Sequence, residues 1–166
     1  AQKHDFVSGS ADMAADLTDH STLQCVVTSE NAAGLQAAGG SSVARVVASG
    51  PTGGTVLDGP QYMEDATWTA NCSVATASWH NFNDIAGIAS YAFALGSTPG
   101  DTDIRGFKRT GRGRQGKAFV SLPAETVVFV TVKAVNHAGF ASMQTSDGFR
   151  CSDSVPDINS NFTVAK

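Results

Sequence analysis

The 166-residue chain has no apolar run approaching the about 18 residues that a membrane-spanning helix needs, and only 16% of it is charged. Surface helices want Glu, Lys and Leu, whereas this chain is rich in Gly, Ala, Ser, Thr and Val, a balance that favours strands and turns. No Gly-x-Ser-x-Gly elbow is present, so nothing points to a nucleophile of that type. The four histidines (His4, His20, His80, His137) keep no His-x-x-x-His spacing, and no dense acidic loop of the EF-hand type occurs. Asp101 and Asp103 lie near a turn, with Asp84 elsewhere in the unit; as candidate Ca²⁺ ligands they lack the six to eight oxygens calcium needs, and they read instead as turn residues that hydrogen-bond their own backbone. The expectation is a protein that is not an enzyme and has no metal or cofactor. A formal net charge of −4 argues against general nucleic-acid binding.

What the chain does have is an internal repeat. Asn31-Ala-Ala-Gly-Leu35 returns as Asn136-His-Ala-Gly-Phe140, and one ungapped shift of 105 positions also superposes Ser41 on Ser146, Arg45 on Arg150 and Pro51 on Pro156. Solenoid repeats run about 20–50 residues, so a period this long means stacked whole domains. Arrays of small domains act mostly as spacers, stalks or binding surfaces. Residues 1–50 then correspond to the later strands of a domain, 51–155 to one complete unit, and 156–166 to a linker and the first strand of the next. The start at Ala-Gln-Lys-His, without Met or a signal peptide, is expected to follow further upstream sequence.

Period-two alternation is clearest in Thr126–Asn136, where Val128, Val130, Val132 and Ala134 share one face and Phe129, Thr131 and Lys133 the other. An Asn-x-Ala-Gly turn follows, and Phe140 to Cys151 reads as the returning hairpin strand. Ser73–Trp79 places Ala75, Ala77 and Trp79 inward. Ile88–Leu95, residues 103–109 and 117–122, and Thr55–Leu57 complete about seven short strands, the pattern of an all-β sandwich.

At this level the unit resembles the fibronectin type III-like repeats of large surface and secreted proteins. The matching stretches are Pro51-Thr-Gly-Gly-Thr-Val-Leu-Asp-Gly59, Trp79-His-Asn-Phe-Asn-Asp84, Gly87-Ile-Ala-Ser-Tyr91, Ala94-Leu-Gly-Ser-Thr-Pro-Gly100, Thr102-Asp-Ile104, Val130–Gly139 and Thr145-Ser-Asp-Gly148. One departure is Val128, with Leu23 in the first unit, at the place where many such domains carry a tyrosine. The resemblance implies a fibronectin type III or immunoglobulin-like β-sandwich in a tandem array.

In that topology the second strand starts, and the last strand ends, at the pole where the chain exits. Cys72 and Cys151 occupy those places, so a disulfide is expected with Cα atoms within about 7 Å. Cys25 is expected on an inward face beside Leu23 and Val27, as a buried free thiol or paired upstream, and not with Cys72 or Cys151. Asn71-Cys-Ser73 and Asn161-Phe-Thr163 are acceptor sequons and make Asn71 and Asn161 glycan candidates. Cysteines, sequons and array together point to an extracellular or cell-surface glycoprotein.

Charge is unevenly placed. Lys3 and Arg45 face eleven acids in residues 1–104, and then Arg105, Lys108, Arg109, Arg112, Arg114 and Lys117 crowd into thirteen positions interrupted by glycine. This stretch reads as a flexible hairpin-like loop that docks on acidic surface: a neighbouring copy, around Asp12, Asp16 and Asp19, or an acidic glycan. Residues 13–48, half a sandwich, are expected to be completed by neighbouring polypeptide. The functional expectation is a structural and interaction module of a filament, stalk or surface coat. The alternative is a carbohydrate-binding or accessory domain of a secreted enzyme, with Tyr62, Trp68 and Phe107 as candidate aromatic platforms and Trp79 and Tyr91 as core.

Overall fold

The computed structural model describes residues 17–152. It is all-β and divides into two units, Ala1–Ala48 and Ser49–Lys166.

In the first unit the strands are β1 (Thr22–Leu23), β2 (Val26–Glu30), β3 (Gln36–Gly40) and β4 (Ala44–Arg45). β2 and β3 form an antiparallel hairpin, and β1 pairs antiparallel with β4. Asn31 makes the turn: its Oδ1 accepts from the amides of Ala33 and Leu35, each at 2.9 Å. Gly34 takes the left-handed conformation (φ +78°) that a Cβ would disfavour. Leu23, Val26, Val27, Leu35 and Val43 are all exposed, so this unit has no core of its own among the described residues.

The second unit contains β5 (Thr52–Leu57), β6 (Trp68–Thr69), β7 (Val74–Asn83), β8 (Ile88–Gly96), β9 (Arg105–Gly111), β10 (Gln115–Phe119), β11 (Val127–Asn136), β12 (Ala141–Thr145) and β13 (Phe149–Cys151). One sheet runs β10-β7-β5; the other runs β6-β13-β11-β8-β9, with β12 also on β11. Apolar residues from both sheets enclose a single core, a sandwich-like arrangement. The alternation expected of β11 is present: Val128, Val130, Val132 and Ala134 are each 0% exposed. Trp79 is likewise 0% exposed, its ring 5.9 Å from that of Tyr91 and 6.0 Å from that of Phe93. Burying each such aliphatic or aromatic side chain contributes about 1.5–3 kcal/mol. Two strand details differ from the sequence reading. Trp68–Thr69 forms a short strand parallel to β13, and the hairpin return breaks in two, because Ser146 leaves the ladder to bond back onto Val130.

The stretches that match at an interval of 105 positions match in hydrogen bonding as well as in letters. Both pairs of β1–β4 (Thr22↔Arg45, Leu23↔Ala44) reappear as Val127↔Arg150 and Val128↔Phe149. All five pairs of β2–β3, from Val26↔Gly40 to Glu30↔Gln36, reappear in β11–β12 from Thr131↔Thr145 to Val135↔Ala141. The amide of Cys25 donates to Ser41 Oγ as that of Val130 donates to Ser146 Oγ, both at 3.0 Å. Even the unusual backbone recurs, with positive φ at His20 and at Glu125.

The difference between the two stretches has a physical cause. β11 runs unbroken because β8 pairs along its other edge, opposite Phe129 and Val130, where neither β12 nor β13 supplies a partner. The first unit has no such strand among its described residues, so its ladder lapses at Gln24 and Cys25. Cys25 is consequently a free, exposed thiol, whereas the matching Val130 is buried; the expectation of a buried thiol is corrected.

Candidate functional site

The basic stretch is not a hairpin loop. β9 hydrogen-bonds to β8 at the edge of the larger sheet, and β10 hydrogen-bonds to β7 at the edge of the smaller one. The chain therefore crosses between sheets at residues 112–114, in a turn closed by the Gly113 amide on Thr110 O (3.0 Å), with Gly111 at φ +62°. The glycines that suggested flexibility serve a sheet-to-sheet crossing and, at Gly116, close packing. A Cβ there would lie 2.5 Å from the Phe93 ring.

The six cations divide by what they touch. Arg105 donates to the carbonyl of Phe119 (3.2 Å) and Lys108 to that of Lys117 (3.3 Å), so both reach from one sheet edge to the other. Arg112 Nη2 lies 3.1 Å from His137 Nε2, a contact in which the guanidinium donates and the imidazole accepts. Lys117 sits 5.2 Å from the centre of the Phe119 ring. Arg109 lines a shallow depression of about 230 Å³ on the outer face of the larger sheet, together with Phe107 and Lys133. Arg114 is held through its backbone, its carbonyl accepting from the Trp79 amide. All six are exposed, and among the described residues none forms an ion pair with a carboxylate. Such a cluster favours anions, and its reach in physiological salt is about 8 Å.

At one pole, Cys72 and Cys151 form the expected disulfide, with Cα atoms 5.3 Å apart. Comparison with protein-family models finds no match, and comparison with curated proteins finds no significant relative. Asn71 beside this bridge is exposed, its Oδ1 accepting from the Ser73 amide at 3.0 Å. Asn161, and with it Asp12 and Asp16, lies outside the described residues.

The aromatic candidates are exposed but separate. Tyr62 borders an open groove of about 410 Å³ with Gln61, Thr76, Ser78, Gln115 and Lys117. Trp68 carries the Arg150 guanidinium 5.9 Å from its ring centre, and Phe107 belongs to the depression beside Arg109. Of the carboxylates singled out in the sequence, Asp84 accepts from Ala86 and Asn136, Asp101 from Thr98, and Asp103 from the Ser97 amide and hydroxyl. Those Ser97 bonds hold Asp103 below the ordinary carboxylate range. A different acidic group, Asp58, Asp65 and Asp147, converges near the end of β5. No local motif marks it, because Asp147 comes from a distant segment.

Proposed function

We propose that this chain is a structural and interaction module built from fibronectin type III-like sandwiches in tandem, part of an extracellular or cell-surface glycoprotein of the filament, stalk or coat kind. The observation that carries this reading is the residue-for-residue duplication of strand pairing at an interval of 105 positions. A domain repeated with its registers intact fits a chain that gains length and surface by adding units. The order of the sheets in the second unit, three strands against a larger set, supports the sandwich type. The Cys72–Cys151 bridge supports an oxidising compartment.

In this reading the edge formed by β9 and β10 meets acidic surface on neighbouring copies. Arg109 and Arg114 are the residues to reverse, since neither side chain makes a described polar contact whose loss would disturb the fold. Sedimentation velocity of the full chain should show association in low salt that weakens at 0.5 M NaCl and is lost in Arg109→Glu/Arg114→Glu. Association indifferent to both salt and charge reversal would remove the electrostatic part of this reading. A second reading, glycan binding, is favoured by the groove at Tyr62, where an exposed aromatic ring stands among amides and hydroxyls. Glycan-array binding abolished by Tyr62→Ala, and left intact by the Arg reversals, would favour it instead.

A further inference from the structure

Asp58 follows β5, Asp65 lies in the loop before β6, and Asp147 lies between β12 and β13. One carboxylate oxygen from each falls within 4.8 Å of the other two. Asp58 is only 4% exposed, and both of its carboxylate oxygens are buried without a hydrogen-bond partner. Its own amide donates to Asp65 Oδ1 at 3.3 Å, which holds the Asp65 carboxylate beside Asp58. On the same loop, Glu64 Oε2 is a further buried carboxylate oxygen without a partner. Asp65 and Asp147 are exposed.

A buried carboxylate without a partner costs several kcal/mol, and two more carboxylates beside it add repulsion. An arrangement this unfavourable for anions alone becomes favourable around a cation.

We propose that Asp58, Asp65 and Asp147 form a Ca²⁺-binding site. The donors are all oxygens, which select hard cations over zinc or copper. Calcium–oxygen distances of about 2.3–2.6 Å put ligands on one ion at most about 5 Å apart, in keeping with the clustering. Calcium takes six to eight oxygens, and the exposed side at Asp65 and Asp147 leaves room for water to supply the remainder. Mg²⁺ demands stricter octahedral geometry and is the weaker competitor. The ion ties the loop between β5 and β6 to the segment leading into β13, the strand that carries Cys151. The site belongs to the second unit, because the position matching Asp147 in the first is Ser42.

The test uses the full chain, stripped with EDTA and dialysed at pH 8, titrated with CaCl₂ alone by calorimetry and followed by thermal melting. Saturable binding with a Kd of about 0.1–1 mM is expected, the range of extracellular calcium modules. Saturating Ca²⁺ should raise the melting temperature by about 5–10 °C. Asp65→Asn and Asp147→Asn, at exposed positions, should keep the metal-free melting temperature and lose at least tenfold in affinity. No saturable heat from the wild type up to 10 mM Ca²⁺ would overturn the proposal, as would undiminished affinity in both variants.

Discussion

Replacing Cys72 and Cys151 together by alanine opens a covalent loop whose ends are 79 residues apart in sequence. In the chain-entropy description, closing a loop of that length removes about 15 cal/mol/K from the unfolded ensemble, or about 4.5 kcal/mol at 25 °C. A sandwich of about 100 residues has an unfolding entropy near 0.2 kcal/mol/K at its midpoint, so the loss corresponds to a fall of about 20 °C. The alanines keep each Cβ, which confines the added cavity cost at fully buried Cys151 to about 1 kcal/mol. Tryptophan fluorescence is a suitable probe, since Trp79 is 0% exposed and Trp68 is already 54% exposed in the folded protein. Melting of the full chain, with and without the double substitution, gives the number directly. A midpoint within about 5 °C of wild type would refute the entropic reasoning. Alkylation of both thiols in native protein without reductant would refute the bridge itself.

The duplicated register makes a paired test. Val132→Ala, at a position 0% exposed, should cost about 2 kcal/mol in denaturant unfolding, and Val27→Ala at the matching position, 65% exposed, should stay within about 0.5 kcal/mol. Equal effects would mean that the first hairpin is covered as fully as the second. Gly116→Ala should destabilise by about 1–3 kcal/mol or more, because its Cβ meets the Phe93 ring; a neutral result would show that the ring gives way. Asp103 is held below its ordinary pKa by Ser97, so its contribution is present above the unfolded value and lost as pH falls through the folded one. Asp103→Ala should therefore melt below wild type at pH 6, with the gap closing as acid protonates Asp103 in the folded protein; a gap unchanged by acid would assign the effect to packing.

Much of the fold was legible because β-strands write their burial into alternate residues. Val128, Val130, Val132 and Ala134 announced a half-buried strand, and the Asn-x-Ala-Gly letters announced its turn. What stayed hidden depended on partners distant in the chain. Trp68–Thr69 is a strand only because β13 lies beside it. Arg105 to Lys117 looked like one loop because glycine and charge say nothing about which sheet a strand joins. Cys25 carries the same inward pattern as Val130, yet pattern states only which face is apolar and not whether anything covers it. The acidic cluster needed Asp147 beside Asp58, a meeting set by topology alone.

The bridge also decides how the second unit answers to tension. A pull between Ser49 and Ser152 enters ahead of β5 and leaves one residue past Cys151, so the load passes across the sulfurs to Cys72. The chain between Cys72 and Cys151, which holds β7 to β13, lies outside that covalent path and cannot be drawn out. Only the stretch from Ser49 to Cys72 can lengthen, to about 80 Å, whereas a reduced unit could reach about 350 Å. The oxidised unit is therefore limited to about a quarter of the reduced reach. Its redox state then sets how far the unit stretches.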